Sequence, residues 1–421
     1  MLDPLAIGYV RTPDAVLGLA EAVRKAPRAA VDTEADSLHH YFEKVCLLQV
    51  SVPDGDFLVD PLEPELDLSP LMDALAGCPL LLFHGADYDL RMLRRDFGFE
   101  ARAIFDTMSA AQLLGYERFS YAALVEKHLG LTLDKKGQKA DWSKRPLKDD
   151  LIAYAAGDTH YLGEVADRMA EELAAAGRAH WHEEVCRRLL PEVSQGIREP
   201  DEDRQWRVKG WHGLKARGQA GLRAGWRWRD AEARKIDKPA FMVLRNESLI
   251  EMAAWAAAGR DPETRPKLPR NITGRRADGL FECVTDAVKL PDEELPGPPT
   301  APRRGMPAPD DAMVAALKVH RDALAKELVI DPGVLLPGAA LGAVSALRPT
   351  TVEELQAAGK LHDWQTVLMG EALLKIVDAH RGNPPAPSRR SRGGRAGRGP
   401  KTEPVAGDST EAAGTLEADA G

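Results

Sequence analysis

Residues 29–60 read AAVDTEADSLHHYFEKVCLLQVSVPDGDFLVD and predict three consecutive strands. The apolar start of AAVDTE (29–34) and the run VCLLQVSV (45–52) are typical of buried strands. The third strand, DFLVD (56–60), follows the turn Pro53-Asp54-Gly55. Links this short favour antiparallel neighbours, because a parallel crossover needs about a dozen residues or more.

The surrounding sequence alternates helices with further strands. Thr12 is a candidate N-cap, with Pro13 at the first helical position. The pattern predicts helices at 13–25, 68–76, 86–97 and 147–176, a strand at 79–83, and a short strand that ends at Asp106. We therefore predict an α/β fold, a mixed sheet with helices on both faces.

After this block the pattern is all helical, in two stretches at 206–289 and 310–381. The segment between them is rich in proline and predicts an extended linker. The last residues are first basic and then acidic, which is typical of disorder. The predicted domains are 1–190 (α/β), 204–290 and 310–382 (both helical), with a linker at 291–309 and a disordered tail at 383–421.

Composition excludes several classes of protein. With 421 residues, 44% hydrophobic and 29% charged, the chain is globular and has room for two to four domains. It contains no apolar run of the roughly 18 residues that span a bilayer, and its N-terminus lacks the pattern of a secretory signal. The four cysteines are widely spaced, which favours reduced thiols and a cytoplasmic location.

Charge is unevenly distributed. The chain carries a net charge of −9, yet residues 204–276 contain 18 Lys and Arg against 7 Asp and Glu, a local balance of +11. A basic block of this size is typical of a surface that binds a phosphate backbone. A solvated helical surface rich in arginine has the same composition, so both interpretations stand.

Carboxylates occupy positions that a fold normally avoids. Asp32 and Glu34 lie two residues apart on a strand and so share one face. Two like charges side by side repel each other unless a cation lies between them. The alternative is a strand that simply emerges into solvent.

Two helices carry further candidates. Asp87 and Asp89 lie in the first turn of a helix, where the helix dipole alone favours acids. Tyr154 and Asp158 are four residues apart and therefore lie on one helix face, although a packed tyrosine and a solvated aspartate would show the same spacing. Asp106 is predicted to cap the next helix. Taken together, Asp32, Glu34, Asp89 and Asp158 offer only oxygen ligands, which suit Mg²⁺ or Mn²⁺ and disfavour zinc.

At these residues the sequence resembles the ribonuclease D branch of the DEDD-type 3′→5′ exonucleases. VDTEAD (31–36), HGADYDLRML (84–93) and YAAGDTHYL (154–162) are similar to the three exonuclease motifs, the last in the form that marks the tyrosine subclass. FDTM (105–108) and KADWSKRPL (139–147) resemble stretches that the family carries between the second and third motifs. The two helical stretches resemble the helicase-and-RNase-D C-terminal (HRDC) domain, the second less closely than the first.

The resemblance implies a ribonuclease-H-like exonuclease domain followed by two HRDC domains. It implies that Asp32, Glu34 and Asp158 hold one divalent ion, that Asp32 and Asp89 hold a second, and that Tyr154 orients the attacking water. The implied reaction is hydrolysis of RNA from its 3′ end to nucleoside 5′-monophosphates, in the maturation of tRNA precursors and other structured RNAs. We expect no membrane partner and a monomer.

Two other functions are compatible with the same motifs: a 3′→5′ DNA exonuclease and a catalytically inactive RNA-binding module. The presence of all four acids and of Tyr154 argues against the inactive module. His180 and His182 could suggest a metal site, but residues two apart on a helix point to different sides, so we predict a solvated helix end. Of the tryptophans between 206 and 228, we expect most to pack in a core, with Trp228 the most exposed.

Overall fold

The computed structural model describes residues 7–134, 137–195, 201–297 and 307–382. Within residues 7–195, six strands form one mixed sheet, in the order β1-β4-β3-β2-β5-β6. The strands are β1 (Gly8–Val10), β2 (Ala29–Ala35), β3 (Val45–Val52), β4 (Gly55–Val59), β5 (Leu81–Phe83) and β6 (Ile104–Asp106). Strand β3 is antiparallel to both of its neighbours and the other pairs are parallel, which confirms the mixed sheet and the prediction from the short links.

The described residues of this range, 7–134 and 137–195, contain eight helices. They are α1 (Pro13–Lys25), α2 (Ser69–Gly77), α3 (Ala86–Phe97), α4 (Thr107–Leu113), α5 (Tyr121–Leu129), α6 (Asp149–His160), α7 (Leu162–Ala175) and α8 (Ala179–Ser194). Alternate residues of the strands face different helices, because successive side chains on a strand point to opposite sides. Val31 and Leu81 pack in the core that contains α1, α2 and α3, whereas Ala30 and Leu82 pack in the core that contains α4, α5 and α7.

The sequence pattern was wrong at two places. It missed β1, a strand of three residues, and it predicted one helix over 147–176 where the structure has α6 and α7. Tyr161 separates these two helices: its φ of −92° and ψ of −4° end α6, and its N–H bonds to the carbonyl oxygen of Thr159. The apolar periodicity continues across a break of one residue, so the pattern does not reveal it.

The remaining described residues are helical, as predicted. The first helical region (201–297) contains α9 (Glu202–Gln205), α10 (Ala216–Lys235), α11 (Ala240–Val243), α12 (Asn246–Ala257) and α13 (Arg275–Ala287). The second helical region (307–382) contains α14 (Asp311–Leu328), α15 (Pro332–Leu335), α16 (Gly338–Leu347), α17 (Val352–Gly359) and α18 (Asp363–Ala379). The centre of the predicted linker and the whole predicted tail lie outside the described residues.

The two helical regions attach to the sheet domain differently. The first has an apolar core of its own, built around Trp206, Leu222 and Met252. The apolar side chains of the second join those of α4, α5, α7 and α8 in one continuous core. There Trp364 of α18 stacks on Trp181 of α8, with ring centroids 4.4 Å apart and an angle of 14° between the planes.

The second helical region packs closely against the sheet domain at a glycine that follows α4. Gly115, just after α4, has a left-handed φ of +78°, and a Cβ at this position would lie 1.7 Å from the carbonyl oxygen of Val329. Arg178 spans the same junction, donating hydrogen bonds of 2.7 Å to the carbonyl oxygens of Leu113 and Leu328. None of the helices in the four described ranges is both long and apolar enough to cross a membrane.

Candidate active site

Three of the candidate acids, carried by strand β2 and helix α6, lie close together in the structure. Asp32 and Glu34 share a face of β2, and α6 lies across β2, β3 and β4 with Asp158 near its C-terminal end. One carboxylate oxygen of each of the three lies within 4.8 Å of those of the other two. In the part of the chain that the structure describes, no other group of three potential metal-ligating side chains comes this close.

The fourth acid, Asp89, stands beside this group. It lies in the first turn of α3 and is buried, and its Oδ1 accepts a hydrogen bond of 2.5 Å from Thr33 Oγ1. Thr33 lies between Asp32 and Glu34 on β2 and thereby ties α3 to the strand. Asp89 is outside the three-acid group, yet its charge still acts on Asp32.

In the absence of a cation, the ionised form of the four carboxyl groups is unfavourable. Burial raises the pKa of each carboxyl: that of Asp32 well above its ordinary value, that of Glu34 to about 9, and those of Asp89 and Asp158 to about 7. Repulsion between the carboxylates adds to the effect of burial at Asp32 and Glu34. A site of this kind is stabilised by positive charge, and its all-oxygen donors fit a hard divalent cation.

Tyr154 lies one turn before Asp158 on α6, so the two side chains share one helix face. Its ring packs near Trp142, with centroids 6.1 Å apart. Burial, followed by the charges of Asp158 and Glu34, raises the pKa of the phenol above its ordinary value. Tyr154 therefore stays protonated at neutral pH and can donate a hydrogen bond, whereas it is poorly suited to act as a base.

A cleft opens next to these residues. A cavity of about 310 Å³ is lined by Thr132, Leu133 and Gly137 on one side and by Tyr154 and Asp158 on the other. This volume is at the lower end of the range for small-ligand sites. A larger cavity of about 640 Å³ lies between α8 and α18, and none of the four acids lines it.

Asp106 has the structural role that was predicted for it. Its Oδ1 accepts hydrogen bonds from the N–H of Met108 at 3.0 Å, which caps α4, and from the N–H of Gly85 at 2.7 Å. Gly85 precedes α3 and has a left-handed φ of +83°. Asp106 thus also fixes the turn that leads to Asp89.

Sequence reasoning missed two residues of the site. Thr33 was quoted within its motif, but only the structure shows its hydrogen bond to Asp89. Tyr121 at the start of α5 is buried, and burial followed by the charges of Asp158 and Asp32 raises its pKa. The position of Thr33 between two acids could have indicated that it belongs to the site, whereas the sequence around Tyr121 contains no such indication.

Two further expectations can be checked. His182 does not lie at a solvated helix end: it is 3% exposed and its Nε2 donates a hydrogen bond of 3.0 Å to the carbonyl oxygen of Asp106. The prediction holds for His180, which is exposed, and is wrong for His182 because α8 packs against β6, a contact distant in sequence. Trp206 is buried as expected, but Trp228 is half-buried against the core of the first helical region and is not its exposed exception.

Comparison with known proteins gives family matches to the sheet domain and to parts of both helical regions. A family described as 3′-5′ exonuclease matches residues 7–174, and the HRDC domain family matches residues 221–257 and 310–377. The first match covers the strands, α1–α6 and nearly all of α7. The second falls in both helical regions.

Individual relatives match over most of their length. Ribonuclease D of Gluconacetobacter diazotrophicus is 32% identical over 89% of this chain and 93% of its own length. Ribonuclease D of Granulibacter bethesdensis is 30% identical over 75% of this chain and 80% of its own length. The crystal structure of Escherichia coli RNase D, described as an exoribonuclease involved in structured RNA processing, is 25% identical with a TM-score of 0.65, covering 89% of this chain and 99% of that one.

Proposed function

The chain belongs to the ribonuclease D family and is a 3′-5′ exoribonuclease, and from this premise we propose that Asp32, Glu34, Asp89 and Asp158 form its catalytic centre. The reaction we propose is hydrolysis of the 3′-terminal phosphodiester bond of RNA, with release of one nucleoside 5′-monophosphate at a time. The observation that carries the proposal is the convergence of three carboxylates within 4.8 Å, with the buried Asp89 beside them.

The acids are suited to hold two divalent ions, Mg²⁺ or Mn²⁺. Asp32, Glu34 and Asp158 would hold one, and Asp32 together with Asp89 would hold the other. The donors are all carboxylate oxygens, and their raised pKa values reflect repulsion and burial that a cation would relieve. Two divalent ions bound in such a site supply activation of a water and stabilisation of the leaving oxygen.

Tyr154 orients the attacking water in this proposal. Its hydroxyl keeps its proton, because burial and the neighbouring carboxylates raise its pKa, and so it acts as a hydrogen-bond donor of fixed direction. The packing of the ring near Trp142 holds that direction. A correctly placed donor of this kind lowers the barrier of the chemical step without contributing to RNA affinity.

We propose structured RNAs, including tRNA precursors trimmed at their 3′ ends, as the substrates. The Escherichia coli relative is described as acting in structured RNA processing. The balance of +11 over residues 204–276 supports contact with a phosphate backbone away from the cleft. In the same proposal residues 1–190 are the exonuclease domain, 204–290 and 310–382 are the two HRDC domains, and the protein is a monomer.

We propose the cytoplasm as its location. All four cysteines are free thiols, three of them buried, which is typical of a reducing compartment.

The experiment uses RNA and DNA oligonucleotides of one sequence, incubated with Mg²⁺ or Mn²⁺ and scored for mononucleotide release. We expect release from RNA by the wild type, and a loss of roughly 10³-fold or more in Asp89→Asn. The matched control is Asp87→Asn, because Asp87 lies on the same turn of α3 but is exposed and paired with Arg91. A near wild-type rate in Asp89→Asn would remove that residue from the site, and release from DNA alone would contradict the proposed substrate.

A further inference from the structure

The first helical region is hydrogen-bonded to the loop that follows β2. This β2–β3 loop, residues 36–44, meets Asp237 just past the end of α10. Asp237 Oδ2 accepts a hydrogen bond of 2.7 Å from His40 Nδ1, and its Oδ1 accepts bonds from the backbone N–H groups of Tyr41 and Phe42, at 3.0 and 3.2 Å. One carboxylate thus fastens three consecutive loop residues to the first helical region.

The opposite side of the same loop holds another part of the chain. We call residues 137–143 the clamp segment. The other ring nitrogen of His40, Nε2, lies 3.0 Å from Ser143 Oγ. The neighbouring His39 donates from its Nε2 to the carbonyl oxygen of Lys139 at 3.2 Å. Two adjacent histidines therefore connect the loop to both ends of the Lys139–Ser143 stretch.

The clamp segment in turn supports the ring of Tyr154. A Cβ at Gly137 would lie 2.2 Å from Cδ1 of that ring, so the ring rests directly on the backbone of the segment. Trp142, which is 1% exposed, packs near the same ring. Any displacement of the clamp segment would therefore move the wall that sets where the Tyr154 hydroxyl points.

We propose that Asp237 and His40 are positioning residues for catalysis, acting through Ser143 and the clamp segment on the orientation of Tyr154. The first helical region then shapes the catalytic centre in addition to binding RNA. This inference rests on the proposed role of Tyr154 as the donor that orients the attacking water.

Asp237 is ionised at neutral pH and so can accept all three of the hydrogen bonds from the β2–β3 loop. The hydrogen bond from His40, followed by that from the N–H of Phe42, lowers the pKa of Asp237 to about 2. The loop also has anchors that do not involve Asp237: Tyr41 donates its hydroxyl to Asp230 at 2.9 Å, and Lys238 donates to the carbonyl oxygen of His39 at 3.3 Å. Loss of the Asp237 carboxylate should therefore loosen His40 without detaching the region.

The test begins with Asp237→Gly in the full chain. Asp237 has a left-handed φ of +47°, which glycine adopts without strain. With a short labelled RNA and Mg²⁺, we expect single-turnover cleavage to slow by roughly tenfold to a hundredfold, the scale of a small misplacement of a catalytic group. RNA affinity, measured by filter binding, should not fall, because the substitution removes a negative charge from a basic region.

Two further variants separate positioning from general loosening. Asp237→Asn keeps an acceptor for the backbone N–H groups and a polar partner for His40, so it should restore most of the rate. Glu232→Gln breaks the 2.6 Å ion pair with Arg276, which lies entirely within the first helical region, and should leave the rate unchanged. Equal losses in Glu232→Gln and Asp237→Gly would overturn the inference.

A double-mutant cycle with Tyr154→Phe decides whether the effect passes through the hydroxyl. If it does, Asp237→Gly causes no further loss once the hydroxyl is absent, whereas independent effects multiply. Multiplying effects, or a wild-type rate in Asp237→Gly beside a slow Tyr154→Phe, would overturn this inference alone. A wild-type rate in Tyr154→Phe would overturn the proposed role of Tyr154 and this inference with it.

Discussion

Glu184 of α8 holds the start of α18, and its removal should loosen the second helical region. Glu184 is 7% exposed; its Oε1 accepts a hydrogen bond of 2.7 Å from the N–H of Asp363, and its Oε2 one of 3.2 Å from the N–H of Trp364. These N–H groups belong to the first turn of α18 and have no carbonyl partner within their own helix. Burial acts to raise the pKa of Glu184, but these two donors together with His362 and Arg188 outweigh it, and the pKa is lowered.

The size of the effect follows from these two bonds. A hydrogen bond to a charged group contributes about 1.5–3 kcal/mol, so Glu184→Ala removes a gross interaction of roughly 3–6 kcal/mol and leaves two buried donors unpaired. Relief of the buried charge on α8 and entry of water offset part of this loss. We expect a net decrease of about 3 kcal/mol in the free energy of unfolding, and about half of that for Glu184→Gln, which retains one acceptor.

The assay combines urea denaturation with hydrogen exchange of α18. Glu183→Ala is the matched control, because Glu183 is the adjacent residue on α8 and is exposed. Glu184→Ala should shift the denaturation midpoint and speed exchange in the first turn of α18, whereas Glu183→Ala should change neither. Identical behaviour of the two variants would refute the argument that Glu184 caps α18 across the junction.

Three further predictions concern the catalytic centre and the RNA surface. Tyr154→Phe should slow single-turnover cleavage about 10²-fold with unchanged RNA affinity in filter binding. Without metal, the free energy of unfolding should fall as the pH rises from about 5 toward 9. Burial raises the pKa of Glu34 to about 9, so over this range the folded state keeps a proton that the unfolded chain releases. In EDTA at pH 8, scanning calorimetry should therefore show a higher melting temperature for Glu34→Gln than for the wild type. Arg227→Gln and Lys235→Gln, at exposed positions of α10, should each reduce the slope of log affinity against log salt concentration by about 1, measured by salt titration of RNA binding.

Local spacing predicted which candidate acids share a face, and the resemblance to ribonuclease D combined them into one candidate site. The two-residue spacing of Asp32 and Glu34 fixes one strand face, and the four-residue spacing of Tyr154 and Asp158 fixes one helix face, whatever the rest of the chain does. The bounds of β3 and α3 were predicted to the residue, because β3 is an apolar run that ends before a turn and α3 is a periodic segment with a clear start and stop. The resemblance to ribonuclease D, drawn from five motifs, is confirmed by relatives at 30–32% identity.

The features that could not be predicted from the sequence depend on contacts between residues that are distant in the chain. The burial of His182 requires α8 to pack on β6, and the hydrogen bonds of His40 require a partner almost 200 residues away at Asp237. The stacking of Trp364 on Trp181 likewise joins residues whose local patterns fit any helical core. Periodicity identifies a buried face but not the surface that covers it.

The unequal attachment of the two helical regions implies an order in which the molecule comes apart. The second region shares its apolar core with α4, α5, α7 and α8, so its separation would expose that core to water and should coincide with global unfolding. The first region has its own core and meets the β2–β3 loop through the ring of Tyr41 and through polar bonds such as those of Asp237 and Tyr41. Interfaces of that kind open at a small fraction of the global free energy. The first region should therefore detach before the rest of the molecule unfolds, and its detachment would release the loop that His40 connects to the clamp segment.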